Sequence, residues 1–207
     1  MKLAIDTTVG IIQIALARDE QILEKISTHE GHQAEDIAEL LEGFLDEQNI
    51  KFSEISEVII LIGPGSFTGI RVGLAFLKGL LHSSDIKVVP LSNFHYYLSN
   101  FLSEIAKYPQ IELLINCGKN KQEAYYQKLN HNLTLAAEPK IIAHDMLQAE
   151  LSKKSFIVSD FPLGFTNDYQ LTSHKSLKFA NIFKLPNLPN LYRFKPLYIR
   201  PTYAKKR

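Results

Sequence analysis

The apolar run "VIILI" at Val58–Ile62 leads straight into "GPGSFTGIRVG" at Gly63–Gly73, four glycines and a proline in eleven residues. Five apolar residues in a row suit a strand buried on both faces, as parallel strands beneath helices are. The run Gly63, Pro64, Gly65 allows a tight turn, the glycines because they admit positive φ and the proline because its ring fixes φ, and Ser66 is placed to cap a helix. From about Phe67 to His82 a helix is expected whose only charges before His82 are Arg71 and Lys78, seven apart and therefore on one face. A helix covered only by its own sheet keeps a wide polar face, so this apolar circumference implies cover from a second side. Gly69 and Gly73, four apart, leave a smooth strip that a second helix could approach closely. Gly63, Pro64, Gly65, Gly69 and Gly73 are thus read as structural. A second lobe of the same chain could supply the cover; a partner protein is the preferred reading.

A glycine turn at a helix N-terminus can also hold phosphate. The spacing here fits neither familiar version: no Gly-Lys follows at the P-loop distance, and Gly63, Gly65 and Gly69 give G-x-G-x-x-x-G rather than G-x-G-x-x-G.

Upstream, "KLAIDT", "GIIQIALA" and "QILEKIST" read as three antiparallel strands rich in β-branched residues. Gln33 to Gln48 carries an apolar i, i+3, i+4 stripe opposite an acidic face, a helix. Beyond the apolar helix come a strand "IKVVPL" and a helix opened by Ser92 and running to about Ala106. Three antiparallel strands followed by helix, strand, helix, strand, helix is the order of a ribonuclease-H-like or actin-like α/β half domain, with mixed sheets flanked by helices. After Pro109, "IELLINC" and "EAYYQKL" flank the loop "GKNKQ", and "HDMLQAEL" reads as a helix capped by Asp145 with Gln148 at the capping-box position. Residues 1–107 are read as an N-terminal actin-like lobe and 108–207 as a smaller, less regular second lobe.

Lys and Arg total 23 against 22 Asp and Glu, so the net charge of +1 gives no global pull toward nucleic acid or an anionic membrane. Six basic residues and no acidic one lie from Leu191 onward, which leaves the remainder at −5. A basic tail on a mildly acidic body results. The single cysteine, Cys117, rules out an intrachain disulfide; buried packing is its default. With Asp6 inside any signal core and no run of roughly 18 apolar residues, a cytoplasmic protein is expected.

Taken together, "LAIDTT" near the start, the "GH" of Gly31–His32, "GPGSFTGIRVGLAFLKGL" and the closing "PLYIRP" resemble the tRNA threonylcarbamoyladenosine biosynthesis TsaB (YeaZ) family. The likeness is weak between about Tyr108 and Tyr192. It implies an actin-like two-lobed fold without a complete active site, a non-catalytic subunit with no cofactor of its own. Such a subunit pairs with the catalytic TsaD and with the ATPase TsaE, in a complex that uses ATP. The complex transfers a threonylcarbamoyl group to the adenosine beside the anticodon of tRNAs reading ANN codons. The resemblance further implies that the helix led by "GH" and the helix after the glycine turn form a four-helix interface with TsaD, or with a second copy when TsaD is absent. It carries that interface to His32, Ser66, Phe67, Thr68, Ile70, Arg71, Leu74 and Lys78. Where the family shows an Asp-Ala-Arg turn and Glu-Val-Tyr, this chain has "NCGKNKQEAY": Asn116 replaces the Asp, and the turn before Glu123 and Tyr125 is about two residues longer.

Three further features carry possible chemistry. "HEGH" sets His29 and His32 three apart, one short of the zinc-protease spacing, so no metal site is expected. Asp6 stands where actin-like ATPases keep a carboxylate near Mg²⁺ and phosphate, which leaves a small stand-alone kinase or ATPase as the alternative function; satisfying backbone donors in the next turn is the plainer role. The tail interleaves Tyr192, Tyr198 and Tyr203 with its cations, suited to tRNA contact, while a tail docked on the core through "PLYI" explains them equally.

Overall fold

A computed structural model describes residues 1–27, 31–82, 84–117, 122–165, 169–172, 176–186 and 192–199. The first sheet holds β1 (Lys2–Asp6), β2 (Gln13–Arg18), β3 (Gln21–Ile26), β4 (Glu57–Leu61) and β5 (Lys87–Leu91) in the order β3-β2-β1-β4-β5. β1, β2 and β3 form the expected antiparallel meander, and β4 and β5 add in parallel to β1. The period of two then divides "VIILI" between two cores. Val58, Ile60 and Ile62 join Leu3 and Ile5 against the helices, while Ile59 and Leu61 join Ala4 and Leu91 on the opposite face. That division explains why the run is continuously apolar.

The second sheet comprises β6 (Gln110–Asn116), β7 (Glu123–Asn130), β8 (Lys140–Ala143), β9 (Phe156–Ser159) and β10 (Gln170–Leu171), in the order β10-β9-β6-β7-β8. Again three strands make a meander and two join the first of them in parallel. The second half therefore repeats the strand plan of the first, although the sequence shows no repeat.

Five α-helices are described: α1 (Gln33–Glu47), α2 (Phe67–Leu80), α3 (Asn93–Leu98), α4 (Leu102–Ile105) and α5 (Leu147–Glu150). The single helix expected from Ser92 to about Ala106 is two. Ser99 and Asn100 turn their side chains back on the Tyr96 carbonyl, and Asn100 Oδ1 accepts from Lys178 N and Asn181 Nδ2, so the chain breaks there and restarts at Phe101. The capped helix expected at His144 is also corrected. His144–Met146 is a 3₁₀ turn that runs into α5, and neither start carries a side-chain cap.

One cluster lies between the first sheet and α1 and α2, and another between the two sheets. In the latter α3 is buried along its whole length beside a 3₁₀ turn at Phe179–Lys184. A third, smaller cluster covers the outer face of the second sheet around Tyr126 and Phe161.

Candidate functional site

The glycine turn is held by both neighbouring segments. Gly63 has φ of +107° and follows the end of β4 with only Ile62 between; its carbonyl accepts from Asn93 N at 2.8 Å. Ser66 Oγ accepts from Gly69 N at 3.1 Å, the expected cap of α2. The β1–β2 turn then folds over the helix start: Ser66 N donates to Thr8 O at 2.6 Å, and Thr7 Oγ1 donates to Gly69 O at 2.6 Å. A Cβ on Gly65 would strike the Thr8 carbonyl, one on Gly69 the Thr7 carbonyl, and one on Gly73 the Thr7 hydroxyl. The smooth strip is therefore filled by the chain's own Thr7–Thr8 turn, not left for a partner helix. The close approach expected of these glycines is real; its occupant differs.

The same turn accounts for Asp6. Fully buried, its carboxylate accepts from Thr8 N at 2.7 Å and from Gln13 Nε2 at 3.3 Å, while Asn93 Nδ2 donates to Thr8 Oγ1 at 2.6 Å. Asp6 thus orders the turn that packs on α2, and its oxygens face protein rather than a solvent-open phosphate pocket.

The residues carried over from the resemblance separate into two groups. Phe67, Thr68, Arg71 and Lys78 are exposed on α2, His32 is exposed at the start of α1, and Ser66 is half-buried as the cap. Ile70 and Leu74 are 2% and 8% exposed and sit in the core beneath α2, because i, i+4 positions on its sheet-facing side cannot also reach solvent. The exposed group has its own order. Arg71 lies 3.9 Å from the centre of the Phe67 ring and donates from Nε to Tyr198 Oη at 2.9 Å, and the Tyr198 ring stacks on Phe67 at 5.0 Å. Leu197 N donates to Ile62 O, so the 192–199 strap docks across the N-terminal end of α2.

Between α1 and α2 runs an open groove of about 470 Å³, floored by Leu41, Leu45, Ile50 and Phe76, with Glu42 and Asp46 on the α1 side and Leu80 on the α2 side. None of these groove residues was singled out from sequence as a site. The signal was present in Phe76 and Leu80, four apart on the α2 flank away from Arg71.

Elsewhere, Asn116 N donates to Asp160 Oδ1 at 2.7 Å and Cys117 N to Glu123 O at 3.1 Å, which ties the β6–β7 hairpin mouth to β9; the lengthened turn at 118–121 lies outside the described residues. Cys117 is half-buried rather than buried, since it leaves the sheet at that mouth. His29 and Tyr203 also fall outside the described residues. Among the described residues, no three His, Cys, Asp or Glu side chains gather closely enough to hold a metal ion, and no helix is long and apolar enough to cross a membrane. Tyr192 packs edge-on to His95, and burial pushes its phenol up to about 12.

Sheet order, the duplicated strand plan and the buried α3 between the halves define an actin-like, ribonuclease-H-like α/β protein. The family model described as "TsaD: tRNA N6-adenosine threonylcarbamoyltransferase" matches residues 24–193, and the chain belongs to that family. A tRNA N6-adenosine threonylcarbamoyltransferase of Ligilactobacillus salivarius is 29% identical over 42% of this chain and 26% of its own length. The tRNA threonylcarbamoyladenosine biosynthesis protein TsaB of Bacillus subtilis is 28% identical over 47% of this chain and 43% of its own, and that of Haemophilus influenzae 30% over 44% and 39%. The alignments thus span well under half of these relatives' lengths. In fold, the Pseudomonas aeruginosa YeaZ structure superposes with a TM-score of 0.68 at 17% identity, over 89% of this chain and 90% of that one. A protein described as similar to the peptidase YeaZ of P. aeruginosa reaches 0.75 at 16%, over 96% and 99%. The TsaB/YeaZ resemblance read from the glycine signature is borne out.

Proposed function

We propose that this chain is a non-catalytic scaffold subunit in the biosynthesis of threonylcarbamoyladenosine on tRNA, working in the cytoplasm. On this reading it docks a TsaD-like catalytic subunit through the exposed faces of α1 and α2, and a TsaE-like ATPase joins the complex. ATP is consumed by the complex and not by this chain, and without TsaD two copies pair through the same helices. tRNA is met through the partners or through the basic residues beyond Leu191.

The observation that carries the reading is the open apolar groove between α1 and α2, whose α2 wall belongs to the same helix that exposes Phe67 and Arg71 of the glycine signature at its N-terminal end. Exposed apolar surface framed by polar residues marks a protein contact. The buried state of Asp6 speaks against the stand-alone ATPase.

Ile70 and Leu74 are too buried to test docking, because a charge there would unfold the chain. Ala75 is exposed on α2 and Leu80 is 36% exposed at the groove, so Ala75→Glu and Leu80→Glu probe the surface itself. Both variants should keep the melting temperature within a few degrees and weaken association with a co-purified TsaD-family subunit by about tenfold or more, roughly the loss of one well-packed contact. Threonylcarbamoyl transfer should fall in parallel. A transfer rate that does not depend on adding this chain would sink the reading.

A further inference from the structure

Along α1 the charge is one-sided. The helix carries six acidic residues and no basic one, whereas α2 carries Arg71 and Lys78 and no acidic residue. Glu35, Glu39, Glu42 and Asp46 are all exposed, and their spacing of four, three and four sets them in one stripe. Glu47 is paired with Lys25 at 2.6 Å, but no described ion pair engages the four residues of the stripe. Lys51 is the one basic residue among those lining the groove.

Within the chain this stripe is unfavourable. Glu35 with Glu39 and Glu42 with Asp46 are like-charge i, i+4 pairs, and Asp46 adds a negative charge to the negative end of the helix dipole. Glu42 and Asp46 stand directly on the groove rim, beside apolar floor residues. A partner placing cations there would remove the repulsion and gain a complementary rim.

We infer that the groove takes a helix with an apolar face and a Lys/Arg-rich flank, the flank lying over the Glu35–Asp46 stripe of α1. This rests on the docking reading above and adds the chemistry by which the partner is selected. A second copy of this chain offers the same acidic stripe and only two cations on α2, so its charges oppose the match over most of the face. Rim charges act chiefly on partner choice and on association rate. Discrimination between the catalytic subunit and self-association is thus built into α1.

The test measures the Kd for a TsaD-family subunit, and the self-association of the chain alone, across salt from about 0.05 to 0.5 M, where screening shortens from well over 10 Å to under 5 Å. The variant E42K/D46K is measured alongside, with its fold checked by thermal melting; both sites are exposed. Association with the subunit is expected to weaken about tenfold as salt rises, and by about tenfold in E42K/D46K at low salt. Self-association is expected to strengthen with salt and in the variant. A Kd that stays within about twofold under both changes would overturn the charge match and leave docking intact. No association at any salt would overturn the docking reading and this inference with it.

Discussion

Gly69 and Gly79 occupy one helix and have opposite surroundings. A methyl group on Gly69 would collide with the Thr7 carbonyl, a backbone atom held by the hydrogen bond from Thr7 Oγ1 to Gly69 O, whereas nothing lies within 4 Å of a Cβ on Gly79. Gly69→Ala should therefore cost about 3 kcal/mol or more, or prevent folding, while Gly79→Ala should stabilise by about 0.5–1 kcal/mol through helix propensity. Denaturant midpoints of the two variants check both signs. His95 offers a second prediction at this scale. Its Nε2 lies 2.9 Å from the Leu133 carbonyl, which can only accept, so the proton sits on Nε2 and Nδ1 accepts from the Ser92 hydroxyl at 2.8 Å. Burial lowers its pKa to about 4, partly opposed by the Leu133 carbonyl. Below pH 6.5 the unfolded chain binds a proton that the folded chain refuses. The stability from a neutral His95 is complete above that pH and is lost progressively toward pH 4, about 3 kcal/mol in all. Melting temperature should fall over this interval, and His95→Gln should flatten the slope by about one proton's worth.

At the scale of elements, legibility followed the strength of the local pattern. The meander, β4, β5, α1 and α2 could be read because each has an unbroken period of 2 or 3.6 and a marked end, Ser66 being the clearest. The break between α3 and α4 could not, since it depends on Asn100 meeting Lys178 and Asn181, some eighty residues away. Asp145 was a plausible cap in sequence, yet β8 delivers the chain into a 3₁₀ turn at His144, where no side-chain cap forms. The site divided in the same way. The glycine spacing correctly announced a close approach, but only the fold shows that Thr7 and Thr8 make it, because that contact joins segments sixty residues apart. The period of α2 placed Arg71 and Lys78 together, while the burial of Ile70 and Leu74 follows from which side meets β4 and α1. Sequence leaves Tyr192 and Tyr198 open to either tRNA contact or docking on the core, and the docked strap uses both against His95 and Phe67.

On the scale of the whole molecule, two sheets with one strand plan share a single core. Ala4, Ile59 and Leu61 from the first sheet and Ile111, Leu113 and Val158 from the second meet in one cluster, with Phe94, Tyr96 and Phe179 between them. The strand plan is duplicated, but its helices are not: the 33–47 connection is a long helix, and its counterpart between β8 and β9 shrinks to a 3₁₀ turn and the four residues of α5. The second sheet's shorter helical cover makes the shared core more important to it. Residues 1–107 expressed alone would expose Ala4, Ile59, Leu61 and the buried α3 to water, a loss no surface contact can offset. The intact chain should unfold in one transition, with calorimetric and van 't Hoff enthalpies equal, and Phe179→Ala should lower that transition by about 3–5 kcal/mol without splitting it. Two separated transitions, or a 1–107 fragment that melts cooperatively, would mean that the halves are stabilised independently and that the cluster between the sheets is a contact rather than a core.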